Sequence, residues 1–486
     1  RTSTSFRDAR TMRSCASQQA PSVPFCSRSI GNRTQAPAQA RNGLCSSQRS
    51  IGGLFVSTSP SSSTPTSSSP SASLPSSFAA LAAMPQAASA SVSAGLYTPE
   101  KGITLADFVL EATAAASPSS AQQLPSREAS LLVAALERST RRVAAALARA
   151  GIDDRLGKAS AAAAAAATAA GPSAASSSER DAPKELDLVA NDILKEELAG
   201  TGVVGLLASE EDEEVVVVGR KKTGGENSSS SSSSSAPLPF VAVFDPLDGS
   251  SNIAACIPTG TIFGVYRRRE EEGEEGEDEG QGGKSAAAPL ERHALRPGRE
   301  LLLAGYSLYS SATMLVLTLS GGSEAAGTHG FTLDRDIDQF VCTHPRIRVP
   351  QRGQFYSLND ARFDDWSPEL RKYISTVRSG KGQSGKQYAA RYVCSLVADL
   401  HRTLLYGGWA GNPRSHLRRV YEAAPLSAVT EAAGGRATDG DASSALDVAP
   451  EALHSRAPFF AGSSLDIAEL LSYGDVRQTG KKKYDV

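Results

Sequence analysis

A short apolar run that breaks off into two aspartates and a glycine constrains this chain most. Phe240-Val-Ala-Val-Phe244 has no polar residue, as a strand buried on both faces requires. Asp245-Pro-Leu-Asp-Gly-Ser-Ser-Asn252 follows at once. Pro246 fixes φ and removes a backbone donor, while Gly249 allows a tight turn. The spacing therefore predicts Asp245 and Asp248 held together at the C-terminal end of a buried strand. Backbone N–H groups and the hydroxyls of Ser250 and Ser251 just beyond could cradle an anion.

Other acids sit on similar punctuation. Leu206-Leu-Ala-Ser ends in Glu210-Glu211, and Asp187 and Asp192 flank an apolar helix or strand from Leu186 to Ile193. Leu417-Arg-Arg-Val-Tyr-Glu422 leads into a helix with Pro425, Leu426 and Val429 that stops at Gly434-Gly435. Two carboxylates about 4 Å apart repel by roughly 4 kcal/mol at an effective dielectric of about 20. A converging set therefore needs protons or a cation, and hard divalent ions such as Mg²⁺ take carboxylate oxygens together with water and phosphate.

Elsewhere the chain reads as one folded body with padding. The 98 residues from Arg1 to Thr98 hold eight arginines, no lysine and one acid, Asp8, so they carry +7 against a net −2 for all 486 residues. An arginine- and serine-rich, acid-poor leader predicts an organelle transit segment, disordered through its Ser/Ala/Pro stretch at 57–92. The first residue is arginine, which predicts that further residues precede it. The folded part begins with a helix capped at Thr104 and carrying Leu105, Phe108, Val109 and Ala112. A second helix, from near Ser126, carries Leu131, Leu132, Ala135, Leu136 and Val143. An alanine tract at 161–170, a serine tract at 228–235 and an acidic tract from Glu270 to Glu279 read as surface inserts.

The balance of charge argues against a nucleic-acid binder. No run of about 18 apolar residues predicts a membrane span. Cys15, Cys26 and Cys45 lie in the leader, and Cys256, Cys342 and Cys394 form no CxxC pair, so neither a disulfide framework nor a zinc site is expected. Gly380 to Lys386 imitates a phosphate loop, but Gln387 replaces the Ser or Thr such a loop needs, which predicts a polar loop. Asp334, Asp336 and Asp338 imitate a calcium loop without its glycine or final glutamate, which predicts a turn.

The Asp245–Asn252 block with Ser209-Glu-Glu-Asp upstream resembles the Mg²⁺-dependent, lithium-sensitive sugar and inositol phosphatase superfamily. Three segments narrow the resemblance to the fructose-1,6-bisphosphatase family: Gly385 to Gly408, Tyr356-Ser-Leu-Asn359, and Glu431 to Gly440. The resemblance implies an α/β fold, a layered α-β-α-β-α sandwich of two mixed domains, at 99–348 and 349–476, with a tail at 477–486. It implies hydrolysis of the 1-phosphate of fructose 1,6-bisphosphate with two or three Mg²⁺ per site, in a homotetramer or homodimer of the plastid stroma or, alternatively, the cytoplasm. Carried over by motif, Glu210, Asp245, Asp248, Glu422 and the Leu247 carbonyl bind metal, with Asp181 a further acid nearby. Gly249, Ser250 and Arg418 hold the 1-phosphate, and Glu211 and Asp187 orient and deprotonate water. Asn359, Tyr392 and Arg391, the last from a neighbouring subunit, hold the 6-phosphate.

The chain departs from the family at several positions. His416 stands where a phosphate-binding lysine is usual, after a shortened loop at Asn412-Pro-Arg-Ser415. Asn412 and Arg362 each replace a usual tyrosine; Arg362, Arg414 or protonated His416 would compensate. Cys394 replaces a usual glycine and is expected to be a small buried thiol. The acidic tract lacks the cysteines of the plastid redox loop, so no thioredoxin-type switch is expected there. Ser126-Arg-Glu-Ala-Ser130 matches the family's nucleotide-inhibitor site weakly, so AMP inhibition is not expected. Sedoheptulose-1,7-bisphosphatase and a catalytically impaired regulatory member are the alternatives.

Overall fold

The computed structural model describes residues 99–114, 123–153, 155–156, 158, 184–218, 237–269, 290–319 and 326–478. The leader, Asp181, and the alanine, serine and acidic tracts lie outside the described residues.

Two sheets organise these residues. The first has eight strands in the order β2-β1-β3-β4-β5-β6-β7-β8: β1 Val204–Ser209, β2 Val216–Val217, β3 Phe240–Asp248, β4 Thr259–Arg267, β5 Leu303–Tyr309, β6 Thr313–Leu319, β7 Thr328–Asp334 and β8 Gln339–Ile347. The second has five in the order β10-β9-β11-β13-β12: β9 Phe355–Ser357, β10 Ala389–Ala390, β11 Trp409–Arg418, β12 Arg436–Thr438 and β13 Arg456–Gly462.

Side-chain alternation along β3 shows why its run is wholly apolar. Phe240, Ala242 and Phe244 face helices α1 (Leu105–Ala114), α2 (Ser126–Arg149) and α3 (Glu185–Ala199), packing with Phe108, Leu132, Leu136 and Leu194. Val241 and Val243 face the opposite way, toward Val420, Ala424 and Ala428. Successive residues of a strand point to opposite faces, so a strand covered on both sides has no polar position to spare. The middle layer is α5 (Leu396–Tyr406) and α6 (Ala424–Ala432), whose Leu400, Leu404, Leu426 and Val429 meet Ile262 and Tyr306 of one sheet and Phe459 and Ala461 of the other. Beyond the second sheet, α4 (Pro368–Arg378) and α7 (Ser464–Leu471) pack Leu370, Tyr373 and Ile467 on Tyr356, Trp409 and Phe460. The layers run α-β-α-β-α.

Several local expectations hold. Thr104 caps α1 by accepting the Asp107 N–H at 3.2 Å, and α2 starts at Ser126. The segment around Asp187 is helix, not strand. Residues 380–386 form a loop, and the aspartates at 334–338 lie at the hairpin between β7 and β8, with Asp338 at φ 51°. Among the described residues no helix is long and apolar enough to cross a membrane.

Candidate active site

The neighbouring strands β1 and β3 run parallel, so their C-terminal ends emerge side by side with Ser209 opposite Phe244. The Glu210 N–H donates to the Phe244 carbonyl at 3.1 Å, which sets Glu210 beside Asp245. Strand β3 does not stop at Phe244, as its apolar run suggests; it continues to Asp248. Pro246 and Leu247 are accommodated by a register shift against β4, where Asp245 faces Ile262 and Asp248 faces Gly260. A bulge of this kind turns a strand without ending it and re-aims side chains. Thr261 donates its hydroxyl to the Pro246 carbonyl at 2.8 Å, and Leu247 N–H donates to Asp245 Oδ1 at 2.9 Å. Both acids are thereby fixed on one rim.

Gly249 follows at φ 74°, a conformation open to glycine and strained for other residues. A Cβ there would also come 3.0 Å from Ser395 Cβ. This close approach brings the N-terminus of α5 onto Asp248, whose carboxylate accepts from Ser395 Oγ at 2.9 Å, Leu396 N at 3.3 Å and Val397 N at 2.9 Å. Glu422 arrives from a π-helical turn, Arg419–Ala423, and accepts the Arg418 N–H at 2.6 Å.

Asp245, Asp248 and Glu422 are buried, and one carboxylate oxygen from each lies within 4.8 Å of the others. Glu210 is next to them but pairs at 2.5 Å with the Arg418 guanidinium. Burial pushes the carboxyls of Asp245 and Glu422 well above their ordinary range, and mutual repulsion with Glu210 adds to it. Burial also raises Asp248 and Glu210. Glu211 is pushed up to about 7, by burial first and then by Asp187 and Glu210. Asp187 is raised by burial; its Oδ2 accepts the Lys184 N–H at 2.7 Å, while its buried Oδ1 has no protein partner. The donor set is all oxygen and rich in negative charge, and one buried oxygen lacks a donor. That chemistry suits a hard divalent cation.

These groups line one cavity of about 370 Å³. Glu210, Glu211, Asp187, Asp245, Leu247, Asp248, Gly249, Ser250, Arg418 and Glu422 all reach it, as do Asn359, Tyr392 and His416. Arg391 is not in its lining: its guanidinium stacks over the Phe355 ring at 5.5 Å and donates to the Ala390 carbonyl. Cys394 is not the buried thiol expected. At φ 64° its side chain is exposed, lines the cavity and accepts the Tyr392 hydroxyl at 3.1 Å. The same φ explains why glycine suits that position.

Sequence reasoning missed Lys184, Ser395, Asp399 and Gln478, all in the lining. Ser395 carried a legible signal, a cap residue directly before Leu396, Val397, Leu400 and Leu404 at helical spacing. Asp399, buried in α5 and holding the Val393 N–H, carried none.

Against known proteins, residues 103–345 match the family model for the fructose-1,6-bisphosphatase N-terminal domain, and 349–475 match that for the C-terminal domain. The chain belongs to the fructose-1,6-bisphosphatase family. It is 35% identical over 352 residues to the chloroplastic fructose-1,6-bisphosphatase 1 of Arabidopsis thaliana, covering 71% of this chain and 76% of that one. It is 37% identical over 293 residues to the cytosolic enzyme of Brassica napus, covering 59% and 76%. The holo form of Leishmania major fructose-1,6-bisphosphatase superimposes with a TM-score of 0.59 at 30% identity, over 77% of this chain and all of that one. This family membership makes the chain an enzyme, a phosphatase acting on sugar bisphosphates.

Proposed function

We propose that the chain hydrolyses the 1-phosphate of fructose 1,6-bisphosphate, giving fructose 6-phosphate and phosphate, and that it depends on Mg²⁺. The observation that carries this reading is the convergence of Asp245, Asp248 and Glu422 within 4.8 Å in the cavity that also holds Glu211, whose carboxyl burial pushes up to about 7.

Asp245, Asp248, Glu422, Glu210 and the Leu247 carbonyl would hold two or three Mg²⁺, with Asp181 a further candidate. Bound there, the ions supply charge compensation for the phosphoryl oxygens and make water easier to deprotonate. Gly249, Ser250 and Arg418 bind the phosphate that leaves. Glu211 takes the proton of the attacking water, a task suited to a carboxylate whose proton affinity sits near the working pH. Asp187, with one oxygen committed to Lys184 and the other open, orients that water. Asn359, Tyr392 and His416 bind the 6-phosphate. Arg391 is absent from the lining of its own cavity and stacks over Phe355, which supports its serving a neighbouring subunit of a homotetramer or homodimer. A two-domain division near residues 348 and 349 agrees with the gap between the two family models. The chloroplastic relatives and the acid-poor leader favour the plastid stroma.

Phosphate release from fructose 1,6-bisphosphate with Mg²⁺ tests the reading. Wild type should turn over, and Glu211→Gln should lose at least about a hundredfold in kcat; equal rates would remove Glu211 from the base role. Sedoheptulose 1,7-bisphosphate is the second substrate to assay, because Asn412, Arg362 and His416 all alter the wall that meets the far phosphate.

A further inference from the structure

Strand β11 is paired with β13 at both ends but not in the middle. Asn412 faces Phe459 and Leu417 faces Ala457, so Pro413 to His416 stand opposite Pro458 alone. A bulge this large leaves ladder groups without their strand partners. The Pro413 carbonyl finds its donor outside the sheet, in the Gln478 N–H at 2.9 Å. Gln478 is itself anchored. Val476 is buried against the cluster of Trp409 and Phe460, and Arg477 is tied to Asp475 by its backbone and its guanidinium. A Cβ at Gly440 would meet Arg477 Cγ at 2.6 Å, so this segment packs down on bare backbone. Pro413, Arg414, His416 and Gln478 all line the cavity, and Arg414 is close enough to act electrostatically on Tyr392.

We propose that the C-terminal segment Asp475–Gln478 is a positioning element for the second phosphate of the substrate. The Gln478 N–H sets the Pro413–His416 bulge so that Arg414 and His416 face that phosphate beside Tyr392, and the Gln478 side chain completes the same wall. In this chain a strap from the far end of the sequence thus supports a shortened loop. The inference rests on the bisphosphatase reading above, but it concerns binding rather than turnover.

The test compares the full chain with Gln478→Pro, which deletes the N–H, and Gln478→Ala, which keeps it. Calorimetric titration with fructose 6-phosphate, which carries the second phosphate alone, reads positioning without chemistry. Gln478→Pro should bind it about tenfold more weakly, as loss of one ordering hydrogen bond implies, and Gln478→Ala should lose less. With fructose 1,6-bisphosphate, Gln478→Pro should raise KM about tenfold with kcat within about threefold, while KM for fructose 1-phosphate moves by less than about twofold. Unchanged fructose 6-phosphate binding, or equal losses on both substrates, overturns the proposal. A chain ending at Arg477 retains Val476 in its core and should reproduce the Gln478→Pro pattern; wild-type behaviour from it is equally fatal. A wild type that releases no phosphate sinks the bisphosphatase reading on a separate measurement.

Discussion

Gly249 shows how the backbone of one residue can fix a site. Its positive φ and its approach to Ser395 both exclude a side chain. Gly249→Ala should destabilise the fold by at least about 1–2 kcal/mol, the usual cost of a left-handed residue. It should also lower phosphate release, because Asp248 and α5 are pushed apart; thermal unfolding and the phosphate assay check the two effects. The glycine was legible from its place after a buried run. The opposite case is Cys394, where an ordinary L residue occupies a left-handed turn. Its place where the family usually has a glycine suggested a small buried thiol, and the turn put it in the cavity, because backbone conformation, not side-chain polarity, decides where a residue at positive φ points.

At the scale of elements, α5 carries two devices. Ser395 is both its N-cap, accepting the Ala398 N–H at 3.3 Å, and a donor to Asp248. Ser395→Ala should cost about 0.5–2 kcal/mol and weaken Mg²⁺ activation, read by denaturant titration and by the Mg²⁺ dependence of the rate. His401 on the same helix lies 2.8 Å from the Tyr306 hydroxyl, and burial pushes its pKa down to about 4. The unfolded chain binds this proton near pH 6.5 and the folded chain only near 4. Stability from the neutral imidazole is therefore full above pH 6.5 and is lost as pH falls toward 4. His401→Gln should flatten the fall in thermal midpoint across that window relative to wild type. The buried carboxylates have the opposite sign, so the comparison between the two proteins isolates the histidine. The first two helices were readable from their period and β3 from its unbroken apolar run, but the extension of β3 through Pro246 was not, and the segment around Asp187 was open between helix and strand. A bulge depends on the neighbouring strand β4, which sequence spacing does not reveal.

For the whole molecule, the decisive fact is that Glu210, Asp245 and Glu422 come from segments far apart in sequence and meet at one rim. The DPLDGSSN block announced the rim; its partners were identified through the family resemblance, since no local pattern ties Glu422 to Asp245. Gln478 was missed for the same reason, lying in a stretch that read as a tail. Held together without a cation, these acids oppose folding at neutral pH, because their folded pKa values lie above the unfolded ones. Glu422→Gln should thus raise the thermal midpoint of metal-free protein at pH 8. In the wild type, Mg²⁺ at about a hundredfold over its Kd should add about 2.7 kcal/mol; the variant should lose most of that gain. Differential scanning calorimetry with and without Mg²⁺ reads both.

The three donors that α5 extends to Asp248 tie this chemistry to the architecture. Asp248 is a first-sheet residue, whereas α5 is wedged between the sheets. On the proposed Mg²⁺ reading, an ion at Asp248 shares that carboxylate with the N-terminus of α5, so any effect of the ion on the seating of the helix is matched by an equal effect of the helix on the ion. Amide exchange at Leu396 and Val397 should slow when Mg²⁺ binds, so a reporter inside the sandwich would register what arrives at its rim.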